Sequence, residues 1–352
     1  MGEQTRQARL AVRLVRSPAR PRSPVGSEAG ASSLSDWFGV QRVLAVRLTG
    51  LYRSCIKKMR MTGGTRQSFL RDARLGFIRE EADSVICQIM RKTQMNNETQ
   101  EITYSFEEFR EMFHVKHFRD ELKGMGIELS DAQLEKFYLY YKNLIKWNSV
   151  MNLTTITELD DVLTKHFLDS LSIVKAYDIG KLNKGVSIID VGTGAGFPGL
   201  PLAICFDKCK VTLMDSLQKR IKFLDDTIEL IGVSNCKTVH SRAEDLSRDK
   251  AYREKYDLVC PRAVADLRTL SEYCLPFTKV GGTFVAYKSA EADEEISSAA
   301  HAIKILGGKP AETEKFELGD SGMDRTLVRV DKAKLTLLKY PRKAGTPQKE
   351  PL

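Results

Sequence analysis

The stretch DVGTGAGFPGLP, residues 190–201, combines an acid, four glycines and two prolines between two apolar runs. Val186–Asp190 reads as a buried strand, and the residues after the glycines read as the start of a helix. A strand that breaks on glycines and turns into a helix is where α/β proteins bring backbone against nucleotide-like ligands. Further along, chemistry-bearing residues recur at strand ends. Asp215 closes VTLMDS, Ala243 and Glu244 stand in SRAEDL, Arg262 follows YDLVCP, and Lys288 ends GGTFVAYK. A carboxylate at the end of a second strand can accept both hydroxyls of a ribose. An arginine at a fourth strand end can meet a carboxylate or a base edge.

Three ligands compete for the glycine turn. A nucleoside triphosphate needs GxxxxGK[ST], and no Lys-Ser/Thr pair follows these glycines. A dinucleotide is harder to dismiss, because Gly194, Gly196 and Gly199 match GxGxxG and Asp215 follows at a fitting distance. That register, however, begins late relative to a strand ending at Val191. S-adenosylmethionine fits a turn read as Gly192-x-Gly194-x-Gly196, with Asp190 at the strand end. A nicotinamide-dependent oxidoreductase therefore stands beside a methyltransferase at this point.

The elements that must position these residues follow from pattern. Ser130-x-x-Gln133 is a capping box, and Leu134, Phe137, Tyr138, Tyr141, Leu144 and Ile145 repeat behind it at helical spacing. WNSVMNLTTI is a polar break with a cap expected at Thr155 or Thr157, and a second helix is expected through 161–174. From 186 onward, strands are expected at 186–191, 210–214, 237–240, 256–260, 282–287, 313–318 and 325–331. Helices separate the first five, and the Gly-rich GDSGMD suits a hairpin between the last two. LQKRIKFL, with Lys219, Arg220 and Lys222, reads as the wet face of one of those helices. The expected fold class is α/β: a Rossmann-like, mostly parallel sheet closed by an antiparallel C-terminal pair and preceded by a small helical segment at 105–180. The sheet domain is expected over 181–331 and a basic tail over 332–352.

The excess charge of +9 lies in the first third of the chain. Residues 1–104 hold 18 Lys+Arg against 9 Asp+Glu, whereas the rest is balanced. Residues 1–60 are Arg- and Ser-rich, and 1–104 reads as a disordered extension or as sequence upstream of a start at Met95 or Met112, with a transit peptide as the lesser reading. The apolar run at 37–52 is broken by Arg42 and Arg47, so no membrane span is expected. The seven cysteines form no CxxC and His114 and His117 stand alone, so thiols in a reducing cytoplasm are expected and no metal. In the tail, six Lys/Arg face one acid, and Arg342, Lys343 and Lys349 make a basic patch that reads either as the footprint of a phosphate backbone or as a solvated tail. The prolines there are expected to keep the tail extended and poor at packing, so that Arg342→Ala with Lys343→Ala would weaken a phosphate-backbone partner and spare the small-molecule site.

The segments KWNSVMNLTTI, KHFLDSL, DVGTGAGFPGLPLAI, VTLMDSLQKRIKFL, SRAED, YDLVCPRAVADL, EYCLPFTKVGGTFVAYK and YPRKAGTPQKEPL occur in one order over roughly 115–352. In this order they resemble the RsmG/GidB family of bacterial rRNA guanine-N7 methyltransferases. The resemblance implies a class I S-adenosylmethionine-dependent fold and methylation of guanine 527 of 16S rRNA, free or in the small ribosomal subunit, by a chain favoured as a monomer. It implies donor contacts at Gly192, Phe197, Ala243, Glu244 and Arg262, beside those read at Asp190, Gly194, Gly196 and Asp215. Arg262 and Lys288 are the expected catalytic positions. The chain departs from the family at Cys260-Pro261 before Arg262 and at Ser289 after Lys288. Another RNA or a small molecule as methyl acceptor is the alternative. Guanine N7 carries an in-plane lone pair and needs no deprotonation, so alignment can supply the catalysis without a dedicated base.

Overall fold

A computed structural model describes Ile102 and residues 104–352, apart from 263, 264, 290 and 320. The expectations for 1–104 otherwise lie outside the described residues. Met1–Thr93 and Gln94–Leu352 are separate units, and all the described elements belong to the second.

Two capping boxes start the helical segment. Ser105 caps α1 (Phe106–Glu111) with Glu108, and Ser130 caps α3 (Asp131–Met151) with Gln133, while α2 (Phe113–Gly124) lies between them. Each box satisfies orphan N–H groups at both ends of the exchange. The apolar stripe of α3 faces inward, and all six of its expected positions are buried. Asn152 ends α3 in the left-handed region. The next helix starts at α4 (Leu159–Val162), behind Glu158 rather than Thr155 or Thr157. Those threonines precede it too early, and the Thr154 hydroxyl instead receives Ile156 N–H and meets His166. The chain then widens into a π-helical turn at Leu163–Leu168 before α5 (Asp169–Leu171) and α6 (Ile179–Lys184).

Seven strands follow: β1 (Ser187–Val191), β2 (Lys210–Asp215), β3 (Cys236–His240), β4 (Tyr256–Val259), β5 (Thr278–Ser289), β6 (Glu312–Glu317) and β7 (Asp324–Asp331). Their order is β3-β2-β1-β4-β5-β7-β6. The first five are parallel, and β7 pairs antiparallel with both β5 and β6. The α/β class, the parallel core and the antiparallel closing pair match the expectation from sequence. The crossovers are α7 (Gly199–Cys205), α8 (Gln218–Ile231), α9 (Ala243–Leu246) and α10 (Leu267–Cys274); α11 (Asp293–Ile305) precedes the hairpin, and α12 (Thr346–Lys349) lies near the C-terminus. Apart from their first residues, β1 and β2 are buried throughout, as strands covered on both faces must be. Edge strand β6 carries Glu312, Glu314, Lys315 and Glu317 on an exposed ladder, which blunts it against further pairing.

The helical segment shares one apolar cluster with the sheet. Phe137 and Phe167 pack at 4.8 Å, and Tyr140 and Phe167 at 5.3 Å; Tyr140 and Phe167 both reach Phe197 of the glycine turn. Each fully buried aromatic of this kind contributes about 1.5–3 kcal/mol. The glycine turn thus rests on a floor supplied by α3 and the π turn.

Candidate functional site

The turn after β1 follows the Gly192, Gly194, Gly196 register. All three lie at positive φ, between +62° and +98°, while Gly199 opens α7. At Gly196 the requirement is also steric, since a Cβ would come within 2.7 Å of the Tyr140 hydroxyl. That hydroxyl donates to Ala195 O, so α3 and the turn are tied directly.

A cleft of about 370 Å³ opens over the carboxyl ends of β1, β2 and β3. Gly192, Asp215, Ala243 and Glu244 line it, which brings four of the expected donor residues to one place. Asp215 is buried and lines the cleft. It accepts Leu217 N–H at 2.9 Å on Oδ1, and Gly194 N–H at 3.0 Å and Arg220 Nη1 at 3.1 Å on Oδ2. A carboxylate offers about four acceptor positions, so one remains open. Arg220, Ser241, Arg242, Tyr273, Gly345 and Gln348 also line it, beyond the residues expected from sequence, together with Val191, Met214 and Ser216 at the strand ends. Arg220 belongs to the cleft rather than to a purely wet helix face; its distance of five residues from Asp215 is the one local signal.

Asp190 does not line the cleft. It is fully buried, and its Oδ2 accepts both the Thr193 hydroxyl at 2.7 Å and Gly199 N–H at 2.8 Å, fastening the turn to α7. Its Oδ1 has no partner. Burial outweighs those two bonds and raises the carboxyl to about 7. The unfolded chain ionises this group near 3.8, so between about pH 4 and 7 it binds fewer protons than the folded chain, and this residue's contribution to stability is lost as pH rises. His166 acts in the opposite sense, since burial and Arg262 lower it to about 3. The difference between wild type and Asp190→Asn removes the His166 part. Thermal unfolding should show the variant gaining on wild type, by about 3 kcal/mol, as pH is raised from 4 to 7. Parallel profiles would contradict the buried protonated carboxyl.

Arg262 also lies outside the cleft, in the seam between sheet and helices. Its Nη1 donates to Asp169 Oδ2 at 3.0 Å and to Lys165 O at 3.2 Å, and its Nη2 meets His166 Nδ1 at 3.2 Å. Lys165 and His166 both lie in the π turn, so that turn supplies the backbone carbonyl and the imidazole that Arg262 meets. With Nδ1 accepting, His166 carries its proton on Nε2 and donates to Thr154 Oγ1 at 2.9 Å. The guanidinium stands 4.9 Å over the Phe197 ring, with His166 stacked 4.5 Å from the same ring. Asp169 accepts Arg325 Nε at 2.9 Å on its other oxygen, and Tyr287 donates to Ser170 O at 2.6 Å. Phe197 is therefore held between helices and sheet rather than beside the cleft. Lys288 pairs with Glu295 at 2.5 Å and donates to Ala265 O at 2.9 Å. Cys260 is fully buried, and burial pushes its thiol well above the ordinary range.

The tail requires a correction. It packs, and Arg342 is not a free cation. Arg342 Nε and Nη2 grip the fully buried Glu272 carboxylate at 2.7–3.1 Å, and Arg342 N–H adds a bond of 2.6 Å. Tyr340 and Pro347 are buried, and Arg248 and Arg253 donate to Pro341 O and Tyr340 O. The prolines shape a segment that lies down on the protein instead of standing off it. Lys343 and Lys349 remain exposed. Among the described residues, no group of three or more His, Cys, Asp or Glu could hold a metal ion, and no helix is long and apolar enough to cross a membrane.

The family model for rRNA small subunit methyltransferase G (GidB) matches residues 133–327. The ribosomal RNA small subunit methyltransferase G of Lachnoclostridium phytofermentans is 48% identical over 235 residues, covering 67% of this chain and 96% of that protein. The protein of the same name from Bacillus cereus (strain B4264) is 46% identical over 239 residues, covering 68% of this chain and 99% of its own. With more than half of the chain inside the family model and both relatives covered almost end to end, this chain belongs to the rRNA small subunit methyltransferase G (GidB) family.

Proposed function

We propose that the protein transfers a methyl group from S-adenosylmethionine to N7 of a guanine in 16S rRNA, at position 527 by likeness to its family. The observation that carries this reading is the cleft over β1–β3, with a left-handed glycine turn on one side and a buried carboxylate with an open acceptor position on the other, in a chain of this family. The residues fit the donor. Asp215 would take a ribose hydroxyl, the Gly192 backbone would lie along the amino-acid end, and Ala243 and Glu244 would border the adenine. Asp190, fully buried beneath the turn, would act on the donor only indirectly, by holding the turn to α7 through Gly199 N–H.

When bound, S-adenosylmethionine supplies an electrophilic methyl on a sulfonium. The chain's own task is alignment and exclusion of water, because N7 attacks through a lone pair that needs no base. Arg262 is a positioning residue in this reading: through Phe197 it fixes the glycine turn against the helices. Lys288, held by Glu295, flanks the end of β5.

The test is methyl transfer from labelled S-adenosylmethionine to small-subunit rRNA lacking the mark, mapped by borohydride–aniline cleavage at N7-methylguanine. A single cut at the expected guanine supports the proposal. Label without that cut would send the acceptor to another atom or another RNA. Lys343 and Lys349 are exposed tail cations, as are Lys334 and Lys339, and all four are available to phosphate. Lys343→Ala with Lys349→Ala should weaken rRNA binding several-fold and reduce the slope of log affinity against log salt by about 1.4–1.8. An unchanged slope would remove the tail from the RNA interface.

A further inference from the structure

We propose that residues 340–349 form a strap that builds the β3 side of the donor cleft, with Arg342 as its positioning clamp and Gln348 as a donor-contacting residue; this rests on the cleft being the S-adenosylmethionine site. Three observations carry it. The strap reaches the cleft, since Gly345 and Gln348 are part of its lining. It is joined to a donor residue, since Gly345 N–H donates to Glu244 Oε1 at 2.8 Å. It is clamped from beneath, since Arg342 makes a forked pair with the fully buried Glu272 of α10, and Thr269 of the same helix donates to Pro347 O at 3.1 Å.

The chemistry at this end suits an adenine. Gln348 offers both an amide donor and an amide acceptor, and an adenine edge presents an amine beside a ring nitrogen. Glu244, which would border the base, has one oxygen committed to the strap, so strap and carboxylate move together. Arg342 reaches the cleft only through the backbone it holds. Because the strap meets the cleft at Glu244, read here at the adenine, its loss should act on donor binding more than on the transfer step. The same segment exposes Lys343 and Lys349, so one piece of chain shapes the donor cleft and faces RNA.

The experiment is calorimetric titration of the full chain with S-adenosylhomocysteine, paired with steady-state methyl transfer. Arg342→Ala should weaken the analogue at least tenfold and raise the donor KM in step, with kcat at saturating donor within about twofold of wild type. Arg342→Lys should recover part of the loss, because a single ammonium can still reach Glu272. Gln348 is exposed, so Gln348→Ala should keep the wild-type unfolding temperature while weakening the analogue three- to tenfold. If Arg342→Ala fails to fold, Gln348→Ala decides alone. Wild-type affinity in a folded Arg342→Ala, or in Gln348→Ala, overturns the strap and leaves the donor reading intact. A folded wild type that binds no S-adenosylhomocysteine overturns the donor reading, and the strap with it.

Discussion

Replacing Asp169 by alanine is expected to destabilise the described fold by about 3–5 kcal/mol, the cost of breaking a buried charge pair from one side. Asp169 is 4% exposed and holds two arginines at once, Arg262 on Oδ2 and Arg325 on Oδ1. Those arginines come from the end of β4 and from β7, while Asp169 opens α5, so the carboxylate ties the parallel sheet and its antiparallel edge to the helical segment. Without it, two guanidinium groups remain in the seam with backbone carbonyls as their main acceptors. In a fold of this size the loss corresponds to a fall in unfolding temperature of roughly 10 °C. Asp169→Asn keeps the shape and one acceptor and should fall between alanine and wild type. Calorimetric unfolding checks both. A loss below about 1 kcal/mol for alanine would mean that solvent takes over the arginines and that the seam is held by its aromatics alone.

The same seam marks where the sequence can be read and where it cannot. The capping box at Ser130, the stripe on α3 and the succession of strands are local patterns, each contained within a few turns or one strand, and each lies where its period places it. The glycine register is legible too, because positive φ next to a strand end leaves few residue types to choose from. Asp169 and His166 stand within KHFLDSL, yet nothing local marks their roles. Their partner Arg262 is 93–96 residues away, and the π turn that carries Lys165 and His166 has no sequence period of its own. The tail misleads for a related reason. A short basic segment with prolines looks unable to pack when judged by its own composition. Its anchor is a buried carboxylate 70 residues upstream, on a helix whose other polar residues give no sign of it. Local pattern therefore delivers the elements and most of the residues read at the cleft, while the long-range charge pairs that lock those elements together are visible only in three dimensions.

Asp215→Ala is expected to lower the affinity for S-adenosylhomocysteine by about 10²- to 10³-fold. A charged acceptor that meets a ligand hydroxyl is worth about 1.5–3 kcal/mol per bond, and the turn that shapes the cleft loses its brace as well. Asp215 Oδ2 receives Gly194 N–H and Oδ1 receives Leu217 N–H, so one side chain fixes the glycine turn and the start of α8, and in the proposed reading it would hold the ribose as well. Arg220 shares Oδ2 but is over a third exposed, and it can turn to solvent once the carboxylate is gone. Asp215→Asn separates the two contributions. Its remaining oxygen can keep the brace to Gly194 or to Leu217, whereas its amide cannot accept a hydroxyl proton. An intermediate loss of about tenfold is expected for asparagine, with an unfolding temperature closer to wild type than that of alanine. If alanine and asparagine both bind the analogue as tightly as wild type while folded, the ribose is held elsewhere, and Asp215 serves the turn alone.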